Sequence, residues 1–168
     1  MPLIGISTAV ISVTGAAFGA KEYKKLDVSY MYAIKIGLII EAFIAVFIFV
    51  FAPIITKLFT LAETSSLLAP DIVIFLRIAC LFFPGAAFGM LSSSMFQGTG
   101  KGINALMVTI LRSIILTLPL SWFFSITLDM GLPGAWWGFV VANLTGSAVA
   151  FIWAKLYIKN LQNLPHTI

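Results

Sequence analysis

The chain has 168 residues, of which 61% are hydrophobic and 10% are charged, whereas a soluble domain carries about 25% charged residues. So few charged side chains cannot cover the surface of a soluble domain, which argues against a cytosolic enzyme or a nucleic-acid-binding protein. The net charge of +4 comes from cations that flank apolar runs, as they do at membrane edges, so we expect a lipid bilayer as partner and no nucleic acid.

Five apolar stretches are long enough, or nearly so, to cross a membrane. A hydrocarbon core about 30 Å thick needs about 20 helical residues. Because backbone polar groups in lipid must be paired within the segment, we expect each stretch to be a helix. The stretches are residues 3–20, 36–56, 72–96, 103–128 and 132–154. The sequence therefore predicts an all-α polytopic membrane protein in which residues 1–168 form a single membrane domain.

Small residues recur at three- and four-residue spacing in the first and last predicted spans. Helices in lipid associate by close approach of their backbones, which such residues permit. We therefore interpret five glycines as helix-packing residues, and the alternative is that these faces line a cavity for a bulky ligand. The five are Gly15, Gly19, Gly134, Gly138 and Gly146.

The connectors between the spans differ in charge. One set contains lysines, namely Lys21, Lys24, Lys25, Lys101, Lys155 and Lys159, and the other contains Glu63, Asp71 and Asp129. The positive-inside rule places the lysine-rich set and the C-terminus in the cytoplasm, in a multi-pass protein that we assign to the plasma membrane. Five spans then leave the N-terminus outside. Because Met1 and Pro2 lead directly into the first span, either a minimal N-terminus is translocated or an upstream helix is missing, and we favour the missing helix.

Glu41 is the most informative charged residue inside a predicted span. It lies six residues after Lys35, about 9 Å along a helix, where an ionised carboxylate is costly. Glu41 is therefore a candidate for coupling to a proton or to Na⁺. The alternative is that it faces a wet crevice, or pairs with a basic residue of a neighbouring helix, and only fixes packing.

Two arginines and one asparagine are candidates for lining a cavity. Arg77 and Arg112 are either structural or attract anionic substrates, and Arg77 lies near enough to the external face to extend its side chain outward. Asn143, like its neighbours Thr145 and Ser147, is expected to form hydrogen bonds between helices.

The sequence offers no parts for an enzyme or a metal centre. Cys80 and His166 are the only cysteine and histidine, so a metal site lacks ligands. Ser92, Ser93 and Ser94 have neither a nucleophile elbow nor a base, and we interpret them as helix-packing hydroxyls. The glycine-rich turn at residues 97–102 lacks the Walker pattern. We expect no cofactor, and any transport would draw on a Na⁺ or H⁺ gradient.

A succession of motifs covers nearly the whole chain. Residues 14–20 precede a basic loop, residues 54–60 close the second span and residues 96–101 close the third. Arg112 stands seven residues before Pro119, and residues 131–138 open the fifth span. In this order the motifs resemble the multidrug and toxic compound extrusion (MATE) family, within the superfamily that also contains lipid-linked oligosaccharide flippases.

The resemblance implies a two-lobe transporter. Members have twelve helices in two six-helix lobes around a central cavity, and they exchange Na⁺ or H⁺ for organic cations or drugs. The chain resembles helices two to six of the C-terminal lobe, so it would need a partner lobe. Sodium-coupled members of one branch carry an acidic residue in the third of these spans, whereas residues 83–88 here contain none.

The sequence therefore favours a segment of a cation-coupled efflux transporter. One alternative is a fragment of a lipid-linked oligosaccharide flippase, for which Arg77 and Arg112 should face an internal cavity. The other is a membrane scaffold that does not transport, for which a monomer with a lipid-facing Glu41 would be evidence.

Overall fold

The computed structural model describes residues 2–59 and 69–163, which form helices and no strand. The helices are α1 (Pro2–Gly19), α2 (Tyr23–Phe59), α3 (Ala69–Cys80), α4 (Phe82–Gly98), α5 (Gly102–Thr127) and α6 (Gly131–Gln162). Four of them are long and apolar enough to cross a membrane, and α3 with α4 makes a fifth, bent candidate span by length and composition. The all-α polytopic fold is therefore confirmed. Glu63 and His166 lie outside the described residues.

The third span is bent and not one continuous helix. The axes of α3 and α4 differ by 47°, and Leu81 lies between them. Pro84 explains the position of the break, because it has no N–H to donate to the carbonyl of Cys80 four residues earlier, and its ring crowds that carbonyl. The helix therefore ends at Cys80 and starts again at Phe82.

α5 contains two π-helical segments, Leu111–Leu116 and Phe123–Thr127. In the first, the Thr117 hydroxyl donates a 2.7 Å hydrogen bond to the carbonyl of Arg112, five residues earlier. Pro119 follows this segment and removes another backbone donor from the helix. Segments of π-helix occur often at functional positions, and this one begins beside an in-span arginine.

α2 and α6 extend beyond the predicted spans at one end of the bundle. α2 has 37 residues, about 55 Å at the helical rise, which exceeds the ~30 Å hydrocarbon core. No glycine or proline interrupts residues 23–36, so the helix has no reason to stop at the interface. The Lys155 ammonium lies 2.6 Å from the Asp27 carboxylate, and the Gln162 amide donates to the Tyr23 carbonyl at 3.3 Å. These contacts hold the two extensions together.

α4 is the central helix of the bundle, because it packs against α1, α2, α5 and α6. Leu91, Met95 and Phe96 of α4 are fully buried in the core. α1 runs parallel to α4: the hydroxyls of Ser7 and Ser94 are 2.7 Å apart, and Gly15 lies against Gly98.

The bundle collects the lysine-rich connectors at one end. Phe96, near the end of α4, contacts the rings of Trp153 and Tyr157 near the end of α6. At the opposite end, where Asp71 and Asp129 lie, Phe75 of α3 contacts Trp136 of α6 at a centroid distance of 5.3 Å. This charge asymmetry agrees with the predicted topology, and the side of the membrane on which each end lies stays a prediction.

Candidate transport site

Glu41 lies on the inward face of α2. Its side chain is only 4% exposed, and the two ion pairs among the described residues join other side chains. The inward residues of α2 are spaced by three or four positions: Tyr30, Ile34, Gly37, Glu41 and Ala45. The carboxylate is therefore buried in the bundle without an ion-pair partner in residues 2–59 and 69–163.

The contacts of α2 one helical turn before Glu41 are apolar. One helical turn earlier, a Cβ on Gly37 would lie 3.0 Å from the Leu91 side chain and 3.3 Å from that of Leu3. α1 and α4 therefore both approach α2 next to the carboxylate. The expectation that a basic side chain of a neighbouring helix pairs with Glu41 is not met in the described part of the chain.

The guanidinium of Arg112 lies between α4 and α6. A Cβ on Gly89 would be 2.4 Å from Arg112 Nη1, and a Cβ on Gly146 would be 3.0 Å from Arg112 Cγ. Arg112 follows the start of α5 by ten residues, about 15 Å at the helical rise and thus half the thickness of the hydrocarbon core. Its charge enters the interior of the bundle instead of reaching an interface.

Hydrogen-bond donors at this position have no acceptor. Nε and Nη1 of Arg112 are buried and unpaired among the described residues, and so is the hydroxyl of Ser147. Buried polar groups are nearly always paired. An unpaired group in a native fold therefore calls for an explanation.

Arg77 does not share this environment. It is exposed on α3, and its guanidinium carbon lies 5.4 Å from the centre of the Phe49 ring on α2. A cation over an aromatic face is worth about 0.5–1 kcal/mol at an exposed site. The structure thus separates the two arginines, one on the outside against α2 and the other inside between α4 and α6.

Asn143 is buried, with 5% of its surface exposed, but its amide is bonded within its own helix. Its Nδ2 donates to the Phe139 carbonyl at 2.9 Å, and the Thr145 hydroxyl likewise donates to Val141 at 2.8 Å. Among the described residues these two side chains therefore bond within α6, and the interhelical hydrogen bonds expected of them stay a prediction. Short polar side chains in helices often return to the carbonyl four residues earlier, and that contact prevails here.

The α6 glycines lie where α6 meets α5. A Cβ on Gly134 would be 2.4 Å from the Phe124 carbonyl oxygen, and one on Gly138 would be 2.4 Å from the Ser121 Cα. These distances are shorter than any normal contact, so the two backbones touch because the side chains are absent.

The α1 glycines behave differently from each other. A Cβ on Gly15 would lie 3.0 Å from the Gly98 carbonyl oxygen, whereas Gly19 has nothing within 4 Å. The packing role expected for Gly19 is therefore absent from the described fold. α1 packs through another face, and its small-residue face is exposed; that face comprises Gly5, Thr8, Ala9, Ser12, Ala16 and Gly19.

The sequence carried a signal for one of the buried contacts and none for another. Tyr30 on α2 shares a buried 2.7 Å hydrogen bond with Ser92, and the serine run of α4 was the signal for such packing. Gly89, which makes room for Arg112, had no comparable signal, because nothing in the sequence indicated which helix faces it.

The comparison with known proteins decides the family. The MatE family model matches residues 1–123. The chain belongs to the MATE family. A solved structure of a multidrug resistance MATE family transporter in the inward-facing conformation is 36% identical, with a TM-score of 0.95 over 98% of this chain and 37% of that one. No curated protein matches the chain significantly.

Two further solved structures match this MATE chain closely. A MOP superfamily transporter from Pyrococcus furiosus is 38% identical, with a TM-score of 0.94 over 96% of this chain and 36% of that one. An outward-facing multidrug resistance MATE transporter is 36% identical, with a TM-score of 0.90 over 97% of this chain and 36% of that one. The chain thus spans little more than a third of the length of the transporters it matches.

Proposed function

We propose that this chain forms part of one lobe of a two-lobe efflux transporter, which exchanges Na⁺ or H⁺ for organic cations or drugs. The observation that carries the proposal is the TM-score of 0.95 to a multidrug resistance MATE transporter, over 98% of this chain but 37% of that one. Residues 1–168 then correspond to helices two to six of the C-terminal lobe, and a second lobe or another membrane chain completes the cavity.

The exposed small-residue face of α1 is the proposed cavity wall or lobe contact. At Gly5 and Gly19 on this face no atom of the described residues lies within 4 Å of a Cβ position, so the surface is accessible to a ligand or another helix. The lysine-rich end of the bundle is proposed to lie in the cytoplasm with the C-terminus, as the positive-inside rule indicates for a plasma-membrane protein.

Glu41 is the proposed ion-coupling residue. An ionised carboxylate buried among apolar side chains is costly, and binding of a proton or Na⁺ removes that cost. Because neither ion pair among the described residues includes Glu41, an exchangeable ion is its proposed partner. Arg77, Arg112 and Asn143 remain candidates for contact with the substrate in the complete transporter.

The assay is efflux of an organic cation from proteoliposomes that contain the assembled two-lobe transporter, measured against pH and Na⁺ concentration. Glu41→Gln should remove the dependence on the coupling ion, because glutamine cannot ionise. The matched control is Glu22→Gln, since Glu22 is an exposed acid paired with Lys25 at 2.8 Å, and it should retain the dependence. An unchanged ion dependence in Glu41→Gln would remove Glu41 from the mechanism.

The alternatives have less support. A flippase for a lipid-linked glycan would be favoured by two arginines facing one cavity, but Arg77 lies over Phe49 while Arg112 lies beside Gly89. An inert scaffold would be favoured by a lipid-facing Glu41, whereas Glu41 is buried. Exchange by the chain alone would contradict the need for a second lobe.

A further inference from the structure

The buried charge of Arg112 has no counter-charge on the helices around it. α4 contains no charged residue, and α6 contains only Lys155 and Lys159, at the lysine-rich end. Glu41 lies on α2, which is not among the main neighbours of α5. The positive charge is therefore uncompensated in the described bundle.

An uncompensated guanidinium inside a membrane bundle is strongly unfavourable. Removing it from water costs free energy that only an opposite charge and hydrogen bonds restore. The Nε and Nη1 of Arg112 are buried, so two of the three guanidinium nitrogens lie inside the bundle although the residue as a whole is half-buried. A bound anion is the simplest group that supplies both the opposite charge and the hydrogen-bond acceptors.

The donors at this position converge. Arg112 Nη1 and Ser147 Oγ approach the same point beside Gly89, at 2.4 Å and 2.6 Å from a Cβ placed there. Ser147 is 1% exposed and has no hydrogen bond, whereas the Ser92 hydroxyl bonds to the Phe88 carbonyl of its own helix at 2.6 Å. The Ser147 hydroxyl is therefore available to donate to a ligand together with the guanidinium.

The surrounding backbone makes room for this arrangement. Gly89 and Gly146 have no side chain where α4 and α6 face Arg112, and Arg112 lies at the start of a π-helical segment. A guanidinium presents N–H groups in a fixed plane that fits the two oxygens of a carboxylate. We propose that Arg112 and Ser147 bind a carboxylate between α4, α5 and α6.

The surface next to Ser147 indicates the rest of the ligand. An open groove between α4 and α6 includes Ser147, with Arg112 behind Ser147 and outside the groove lining, and is otherwise apolar, lined by Pro84, Phe88, Leu144, Phe151 and Ile152 among others. A carboxylate attached to a small apolar body therefore fits the chemistry of the site better than a small inorganic anion. The site goes beyond the proposed exchange of cations, and its test requires no transport.

The experiment measures binding of radiolabelled benzoate to the chain in phosphatidylcholine nanodiscs by equilibrium dialysis at constant ionic strength. Benzamide, which has the same ring without the charge, is the ligand control. Wild-type protein should bind benzoate saturably and discriminate against benzamide. Arg112→Gln and Ser147→Ala should each weaken binding by about tenfold or more, as expected for hydrogen bonds to a charged group.

Lys35→Gln is the protein control, because Lys35 is an exposed cation over the Tyr32 ring; it should bind benzoate as the wild type does. Ser147→Ala keeps the test decisive if Arg112→Gln does not fold, since it removes one hydroxyl from a small side chain. Absence of benzoate binding by the wild type, or equal binding by Ser147→Ala, would overturn the proposal.

Binding to the assembled transporter distinguishes the two sources of such a carboxylate. If benzoate also binds there, the natural ligand is a free carboxylic acid. If benzoate binds the chain alone but is excluded after assembly, the carboxylate is an acidic side chain of another segment. Either result supports the site, and both are independent of whether the protein exports cations.

Discussion

Substitution of Gly138 by alanine tests whether α5 and α6 are held by direct backbone contact. A Cβ at this position would lie 2.4 Å from the Ser121 Cα and 2.7 Å from the Leu120 carbonyl oxygen. Both are backbone atoms, so no side-chain rotation relieves the overlap. The helices must separate by about 1 Å to restore a normal carbon contact of ~3.5 Å.

The expected loss of stability follows from two opposing effects. Inserting a methyl group into a packed interface costs about 1–3 kcal/mol, and alanine stabilises a helix by up to ~1 kcal/mol relative to glycine. The net expectation for Gly138→Ala is a decrease of roughly 1–2 kcal/mol in the free energy of unfolding, because the steric effect exceeds the propensity gain.

The assay is reversible unfolding of the chain from detergent micelles by increasing the mole fraction of SDS, followed by far-UV circular dichroism. Gly5→Ala is the matched control, because a Cβ on Gly5 has nothing within 4 Å and the change should stabilise the chain by up to ~1 kcal/mol. If Gly138→Ala is as stable as wild type, or if Gly5→Ala loses as much stability, the contact is not what holds the two helices.

Two further outcomes are expected. Tyr30→Phe should reduce the free energy of unfolding by about 1 kcal/mol, because it removes the buried hydrogen bond with Ser92, while Tyr32→Phe, on a side chain that is 63% exposed, should leave it unchanged in the same titration. Lys24→Cys, in a background with Cys80 replaced by alanine, should resist a membrane-impermeant maleimide in intact cells; labelling from outside would reverse the proposed topology.

The predictions that were confirmed depend on the properties of the lipid bilayer and on local chain geometry. The thickness of the hydrocarbon core and the need to pair every backbone group require long helices wherever the sequence is apolar. The all-α fold therefore followed from composition and run length. The spacing of Gly134, Gly138, Ala142 and Gly146 by four residues fixed one face of α6, because a helix brings such positions to the same side.

Which face meets which helix is not a local property, and only the tertiary structure decided it. Small residues recur in α1 as they do in α6, yet that face is exposed in α1, and no atom of the described residues lies within 4 Å of a Cβ position at Gly19. Whether a small-residue face packs against another helix depends on where the other helices lie. The faces of α1 and α6 therefore cannot be distinguished from their own sequences.

The charged side chains show most clearly what the sequence predicts and what tertiary packing decides. Hydropathy placed Arg77 and Arg112 within spans, but the fold turned Arg77 outward over Phe49 and enclosed Arg112. The site at Arg112 depends on Gly89 and Ser147, which come from two other helices. The sequence by itself predicted which stretches are helices long enough to cross the bilayer, because each such helix satisfies its backbone hydrogen bonds locally. Tertiary packing decided which polar groups meet, because that depends on contacts between residues distant in the chain.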